Sequence, residues 1–389
     1  MKILIGLTYY RPHISGVTVY AERLAKAFVA RGHQVTILTS QYRKDLPRHE
    51  EVNGLHIIRV PVLFRISKGV IMPGIGFEAT RQIRAADVVL LHLPQFDAAG
   101  MAIRGKLFKK PTVLTYHCDL DMPAGFLSRT ANIVVNFMNN IAAKFAHGIV
   151  TYTRDYAENS PYLSRYLDKV HVIQPPVEIP QATQVEIERF HQENNPENRS
   201  PVIGMAARFA SEKGVEVLVN AMPAILKVYP NAAVHFARPL VKEIGEEKYF
   251  KKLMPLVEDY ERRGHWKFFD GLSPEQMAAF YPNIDVLVIS SLNSTESFGL
   301  VQIEAMINGV PVVVSNLPGV RQPVKTFGMG KVVPIGDSSA LAKAIIEILK
   351  NRKAFIQPAD PIREEFIPDT VAQEYESLFA SITEQIKNA

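Results

Sequence analysis

Short apolar runs, rich in β-branched residues, alternate along the chain with stretches whose apolar positions recur at helical spacing. Residues 1–7, 34–39, 56–60, 88–92, 112–116, 148–151 and 170–173 predict strands, each a near-continuous apolar run of the kind buried on both faces of a parallel sheet. Between the first two, residues 17–30 have the helical period and end at Arg31-Gly32, a C-cap signal. The alternation restarts with predicted strands at 202–206, 233–236, 266–269, 286–289, 311–314 and 331–333. The fold class is therefore α/β, with two doubly wound parallel-sheet, Rossmann-like domains.

Pro175-Pro176 and the polar, proline-punctuated stretch 180–200 separate the two series. The boundary is expected at 174–177, giving a first domain over 1–175 and a second over 176–365. The amphipathic segment 366–389, after Pro358 and Pro361, is expected to form a helix packing back onto the first domain. Ligands of open α/β sheets bind beyond the carboxyl ends of the strands, so two such sheets imply a cleft between the domains with strand ends facing it.

Composition narrows the class. With 389 residues, 47% hydrophobic and 21% charged, the chain has the make-up of a globular protein rather than a disordered one. Cys118 is the only cysteine, which excludes an internal disulfide and a cysteine-clustered zinc site and fits a reducing cytosol. The opening apolar run is too short for a signal-peptide core, and no stretch reaches 18 uninterrupted apolar residues. The expected location is the cytoplasm, with peripheral contact at the inner face of the membrane left open.

Residues 1–180 hold 22 Lys+Arg against 13 Asp+Glu, a balance of +9, and the remainder carries −4. The basic first half suits an anionic surface or ligand but lacks the dense Lys/Arg runs of nucleic-acid arms. Two of its segments set hydrophobics among cations: 63–77, with Arg65 and Lys68, and 122–145, with Arg129 and Lys144. Val134, Phe137, Met138, Ile141 and Phe145 repeat at helical spacing, so core packing is favoured there over membrane contact.

The most specific chemical signal is the segment 294–306, directly after the predicted strand 286–289, with Glu296 and Glu304 separated by seven residues. Ser297 is expected to cap a helix beginning at Phe298, leaving the N–H groups of Gly299 and its neighbours at a positive helix end suited to phosphate. Glu304 then shares a largely apolar face with Leu300, Val301 and Ile307, and its carboxylate needs donors that a ribose diol supplies. The alternative pairs Glu304 with a core Arg or Lys.

Residues 204–214 also run from a strand end into a helix, with Arg208 and Lys213 placed to converge on a diphosphate and offset charge growing on a leaving group. The alternative pairs Lys213 with Glu216. Thr8 to Val17, with Gly16 opening the first long helix, is not a GxGxxG and demotes a dehydrogenase. His117-Cys118-Asp119-Leu120-Asp121 lacks recognised zinc spacing, so no metal site is expected. His117 reads as a polar wall near a reacting centre, or alternatively as a hydrogen-bonded structural histidine.

With these residues in view the sequence resembles the retaining glycosyltransferases of family four, which have the GT-B architecture. The resemblance spans nearly the whole chain: the Gly16 turn, Gly32-His33-Gln34-Val35, His117, the Arg208 and Lys213 segment, the two glutamates, and Val310-Pro311-Val312-Val313 leading to Leu317-Pro318-Gly319-Val320. It implies a nucleotide-sugar donor such as a UDP- or GDP-hexose held mainly by the second domain, an acceptor bound by the first, no cofactor and no metal. Carried over, Glu304 holds the ribose hydroxyls, Arg208 and Lys213 the diphosphate, and Glu296 the donor sugar. Phe298, Gly299 and Leu300 offer backbone donors to sugar and phosphate, Gly16 lies beside the diphosphate, and His117 beside the transferred sugar. The implied mechanism is front-face substitution with retention, the departing diphosphate helping to deprotonate an acceptor hydroxyl that is lipid-linked or part of a glycan. A nucleotide-sugar epimerase and a non-catalytic binding protein are the alternatives on the same fold. The chain departs from the family at Ala237-Arg238-Pro239-Leu240, where many relatives have a glycine-rich turn, and at Pro175-Pro176-Val177-Glu178, where they often have Asn-Gly-Val-Asp.

Overall fold

The computed structural model describes residues 1–66, 69–120, 126–239 and 246–388. The chain divides into two compact units, Met1–Val177 joined by Glu365–Ala389, and Glu178–Glu364. The first unit contains β1 (Lys2–Gly6), α1 (Gly16–Ala30), β2 (Gln34–Gln41), β3 (His49–Val52), β4 (Leu55–Pro61), β5 (Phe64–Ile66), β6 (Gly69–Ile71), α2 (Ile75–Ala85), β7 (Val88–Leu93), α3 (Ala98–Leu107), β8 (Thr112–Tyr116), α4 (Phe126–Phe145), β9 (Gly148–Thr151), α5 (Arg154–Asn159) and β10 (Val170–Val172). Its main sheet runs β10-β9-β8-β7-β1-β2-β4-β3, parallel except for the β3–β4 pair, and β5 and β6 form a separate antiparallel hairpin.

The second unit contains α6 (Gln184–Asn194), β11 (Val202–Ala206), α7 (Val215–Val228), β12 (Ala233–Arg238), α8 (Glu247–Arg262), β13 (Trp266–Asp270), α9 (Pro274–Phe280), β14 (Val286–Ile289), α10 (Leu300–Ile307), β15 (Val312–Ser315), α11 (Arg321–Phe327), β16 (Gly330–Val333), α12 (Ser338–Lys350) and most of α13 (Ala359–Phe366). Its six-stranded parallel sheet is ordered β13-β12-β11-β14-β15-β16. Each sheet reverses its strand order once, between β1 and β7 in the first and between β11 and β14 in the second. At such a reversal the following helices leave on opposite faces and open a crevice at the carboxyl ends.

The continuous apolar runs are explained by burial on both faces: every residue of β7, β8, β14 and β15 is buried. The final helix, α14 (Pro368–Asn388), belongs to the first unit and packs on α1. Its Tyr375 hydroxyl meets the Tyr20 hydroxyl of α1 at 2.8 Å and the Thr115 hydroxyl of β8 at 2.8 Å. The Arg31 fork grips Glu376 at 2.7 and 3.0 Å and reaches Asp369 at 2.9 Å.

The structure corrects the reading of α4. Val134 and Phe137, read as part of a core face, are 42% and 63% exposed, as is Ile133 at 64%. Met138, Ile141 and Phe145 are half-buried, Phe145 against the core, and the fully buried positions of the helix are Asn139, Ala142 and Ala143, small residues where α4 lies close against α3. Lys68 and Asp121, and the side chain of Arg129, lie outside the described residues. No helix among the described residues is long and apolar enough to cross a membrane.

Candidate active site

In the second unit the loops leaving β11 and β14 meet at the strand-order reversal. A single turn of tight helix, Ser211–Lys213, follows β11, and Gly214 takes the left-handed conformation (φ +62°) that turns the chain into α7. Only glycine fits there, since a Cβ would come within 2.2 Å of the Ser290 carbonyl oxygen. The Ser290 hydroxyl donates to the carbonyls of Lys213 (3.1 Å) and Gly214 (2.9 Å), and the Leu292 amide donates to the Glu212 carbonyl at 2.9 Å. These bonds stitch the two loops side by side.

The stitching brings two of the separate sequence motifs together. Lys213 Nζ lies 2.6 Å from Glu296 Oε2, with side-chain exposures of 15% and 19%, and the Ser291 hydroxyl donates to the same oxygen at 3.4 Å. Lys213 therefore pairs with Glu296 and not with Glu216, which accepts instead from the Tyr249 hydroxyl. Arg208, at the end of β11, pairs with Glu212 at 2.5 Å. Ammonium, guanidinium and carboxylates thus occupy adjacent loops at the carboxyl end of one sheet, where a parallel α/β unit holds its ligand.

The start of α10 differs from the expectation. The helix begins at Leu300, not Phe298, and Ser297 does not cap it; the N-cap position is Gly299 with φ +77° and no side-chain cap. A Cβ there would stand 2.9 Å from Ile289 Cδ1, so the chain turns tightly over the end of β14 only with glycine. Phe298 and Gln302 are buried beneath this turn, and the Gln302 amide donates to the carbonyls of Phe298 and, at 3.1 Å, Val320. Leu300 is the first helical residue, and the uncapped turn directs main-chain N–H groups away from the helix at its positive end.

One turn into α10, Glu304 accepts a 2.7 Å hydrogen bond from the buried Tyr281 hydroxyl. This bond orients the carboxylate, which has acceptor capacity for more than one donor. Tyr281 was not singled out from the sequence. Its signal was its position next to Phe280 just ahead of a buried strand, because a tyrosine buried there needs a partner for its hydroxyl.

The two remaining predicted residues lie in the first unit. Gly16 is the first residue of α1, which is capped by Ser15: the Thr18 amide donates to the Ser15 hydroxyl at 3.2 Å. A Cβ at Gly16 would meet nothing within 4 Å, so its own packing does not require glycine and the space above the helix end is open. His117, just after β8, is buried, with Nε2 2.7 Å from His92 Nδ1, Nδ1 bonded to the Tyr152 hydroxyl, and the Tyr20 ring edge-on at 5.0 Å. Burial pushes His117 well below the ordinary histidine range and His92 down to about 3, so both rings are neutral near pH 7. His117 thus has the surroundings of the hydrogen-bonded structural alternative. Its neighbour Asp119 accepts from the hydroxyls of Tyr116 (2.9 Å) and Ser160 (2.7 Å). Among the described residues no group of three or more His, Cys, Asp or Glu side chains is arranged to hold a metal ion.

Residues 14–180 match the family model described as Glycosyltransferase Family 4, and residues 186–364 match that of Glycosyl transferases group 1. The chain belongs to the family-four, group 1 glycosyltransferases. This glycosyltransferase is 24% identical over 356 residues to a phosphatidyl-myo-inositol mannosyltransferase of Mycobacterium leprae, an alignment covering 90% of the chain and 86% of that protein. It is 25% identical over 366 residues to an alpha-monoglucosyldiacylglycerol synthase of Streptococcus pneumoniae, covering 90% of the chain and 78% of the relative. Among solved structures, Anabaena Alr3699/HepE in complex with UDP and glucose superposes with a TM-score of 0.77 at 17% identity, over 98% of this chain and 100% of that one. The glycosyltransferase therefore has the GT-B fold, with its two parallel sheets in two units.

Proposed function

We propose that this glycosyltransferase transfers a hexose from a UDP- or GDP-hexose to a hydroxyl of a lipid-linked acceptor, with retention of anomeric configuration and without a metal. The observation that carries the reading is the Lys213–Glu296 pair beside Arg208 at the strand-order reversal of the second unit. Lys213 and Arg208 supply fixed positive charge for a diphosphate, as does the uncapped start of α10. Glu304, oriented by Tyr281, accepts from ribose hydroxyls, and Glu296 accepts from hydroxyls of the donor sugar.

In the reaction the bond from the anomeric carbon to the diphosphate oxygen breaks as the acceptor oxygen bonds to the same face of that carbon. The acceptor proton passes to the departing diphosphate, so charge and atoms balance without a protein base. The protein's part is electrostatic: preorganised cations stabilise the charge that grows on the leaving group. The neutral, buried and hydrogen-bonded state of His117 argues against its acting as the base.

A lipid-linked acceptor is supported by the relatives' names, which are those of a phosphatidyl-inositol mannosyltransferase and a diacylglycerol glucoside synthase. The exposed Ile133, Val134 and Phe137 of α4, a helix without acidic residues, favour an enzyme working at an anionic membrane face. The test is to incubate the protein with UDP- and GDP-hexoses and vesicle-borne lipid acceptors, following nucleoside diphosphate release and the anomeric configuration of the product by NMR. Retained configuration and a loss of about 10²–10³ in kcat for Lys213→Ala are expected. An inverted product, or full turnover in Lys213→Ala, overturns the proposal.

A further inference from the structure

The carboxyl end of the first sheet holds a buried polar cluster contributed by three neighbouring strands. His92 lies on β7, His117 directly follows β8 and Tyr152 directly follows β9. In β7 every other residue is a buried valine or leucine, and His92 is buried with them. A ring with two polar nitrogens costs free energy in such a strand unless it is bonded, whereas an aliphatic side chain would fill the place without that cost.

The bond His92 makes is to His117. Its Nδ1 stands 2.7 Å from Nε2 of His117, whose own Nδ1 is bonded to the Tyr152 hydroxyl. Tyr20 of α1 closes over all three, its ring centroid 5.7, 5.0 and 5.6 Å from those of His92, His117 and Tyr152. Since α1 follows β1, the cluster lies beside the reversal of strand order between β1 and β7, the place where a parallel unit holds its ligand.

Proton counting gives this bond its consequence. Burial keeps both rings neutral near pH 7, so each carries one N–H donor and one bare acceptor nitrogen. Their contact needs one of each. With the hydrogen on Nε2 of His117, Nδ1 of His92 is bare and the His92 hydrogen sits on its Nε2. With the hydrogen on Nδ1 of His92, Nε2 of His117 is bare and the His117 hydrogen sits on its Nδ1. Both rings therefore hold the same tautomer, and the Tyr152 hydroxyl, which turns to donate or accept, suits either one.

We infer that His92 is a positioning residue of this enzyme: through its bond to Nε2 of His117 it sets the tautomer and ring orientation of the histidine at the ligand end of the first sheet. The effect on turnover rests on the proposed function, but the pairing of tautomers is read from the first unit alone.

The test is long-range 15N–1H NMR on the full chain labelled at histidine, at pH 7, with wild-type protein, His92→Phe and His92→Asn, each checked for an unchanged unfolding midpoint. In the wild type, His92 and His117 should show one and the same tautomer. His92→Phe keeps a ring of similar size without the nitrogen partner and should leave His117 with two interconverting tautomers; His92→Asn puts an amide where Nδ1 stood and should keep one. Steady-state kinetics should show kcat down about tenfold in His92→Phe, with KM for the nucleotide-sugar within about twofold because its charged groups are met in the second unit, and most of the kcat restored in His92→Asn. Unlike or averaged tautomers in the wild type, a measurement that needs no variant to fold, overturn the inference. So does an unchanged His117 tautomer or unchanged kcat in His92→Phe, or a kcat in His92→Asn no better than in His92→Phe. Absence of transferase turnover in the wild type refutes the proposed function separately, while the tautomer measurement still decides the role of His92.

Discussion

Replacing Lys213 by methionine removes the ammonium and keeps most of the side chain's length, leaving Glu296 with the weak 3.4 Å bond from Ser291. Two unit charges about 4 Å apart attract by about 4 kcal/mol at an effective dielectric near 20. Both side chains keep some water contact, and the desolvation of each offsets part of this attraction, so a net coupling of about 1–3 kcal/mol is expected. At about 2 kcal/mol, a unit of this size melts some 4–8 °C lower in Lys213→Met. Glu296→Gln should cost a similar amount, and the double variant little more than either single one. The assay is a double-mutant cycle by urea unfolding, run in parallel with steady-state turnover. The cycle should return a coupling of about 1–3 kcal/mol, the two single losses failing to add, while the kcat of the double variant stays about 10²–10³ below wild type because the cation facing the leaving group is missing. A coupling below about 0.5 kcal/mol, or near wild-type turnover in the double variant, would refute the reasoning.

Other outcomes follow from single contacts. Tyr281→Phe removes the hydrogen bond to Glu304 and should weaken nucleoside diphosphate affinity by about three- to tenfold with kcat largely preserved, a split that steady-state kinetics reads directly. Gly299→Ala places a side chain at φ +77° and 2.9 Å from Ile289; a stability loss of at least 1–2 kcal/mol, about the ordinary left-handed penalty, is expected by thermal unfolding. His92 is held neutral by burial, its folded pKa of about 3 lying below the ordinary value of 6.5, so the unfolded chain binds the extra proton between these limits. Its stabilising effect is complete above about pH 6.5 and is lost as pH falls toward about 3, reaching about 2 kcal/mol at pH 5; urea midpoints at pH 7 and 5 test this, and His92→Asn should flatten the slope. Tyr375→Phe strands the hydroxyls of Tyr20 and Thr115 and should cost about 1–3 kcal/mol in the first unit, read by its unfolding midpoint.

The parallel strands were legible in the sequence because burial on both faces leaves an unbroken apolar run, as in Val88–Leu93 and Val312–Ser315. His49–Val52 and the β5–β6 hairpin were not, since these edge elements are short and largely solvent-facing and carry no such run. Glu296 and Lys213 were each visible as a residue beyond a strand end, but their pairing was not, because it depends on Ser290 drawing two loops together from 76 and 77 positions away. The helix start at Leu300 was misread because serine is a common N-cap, whereas here the tight approach to Ile289 places glycine at that position. In α4 the apolar spacing was real, but its first members Val134 and Phe137 face outward while Met138, Ile141 and Phe145 are half-buried, since periodicity locates a stripe without saying how far along the helix the neighbouring element covers it.

The docking of α14 has a consequence for biosynthesis. The first unit draws its last helix from residues made after the whole of the second, so a ribosome releases the Glu178–Glu364 sheet before Tyr375 exists to bridge Tyr20 and Thr115. The half that begins first is completed last. A fragment ending near residue 177 therefore exposes the α1 surface that Phe379 and Tyr375 cover, and excision of the first half as a working part requires the 365–389 segment to be grafted back onto it.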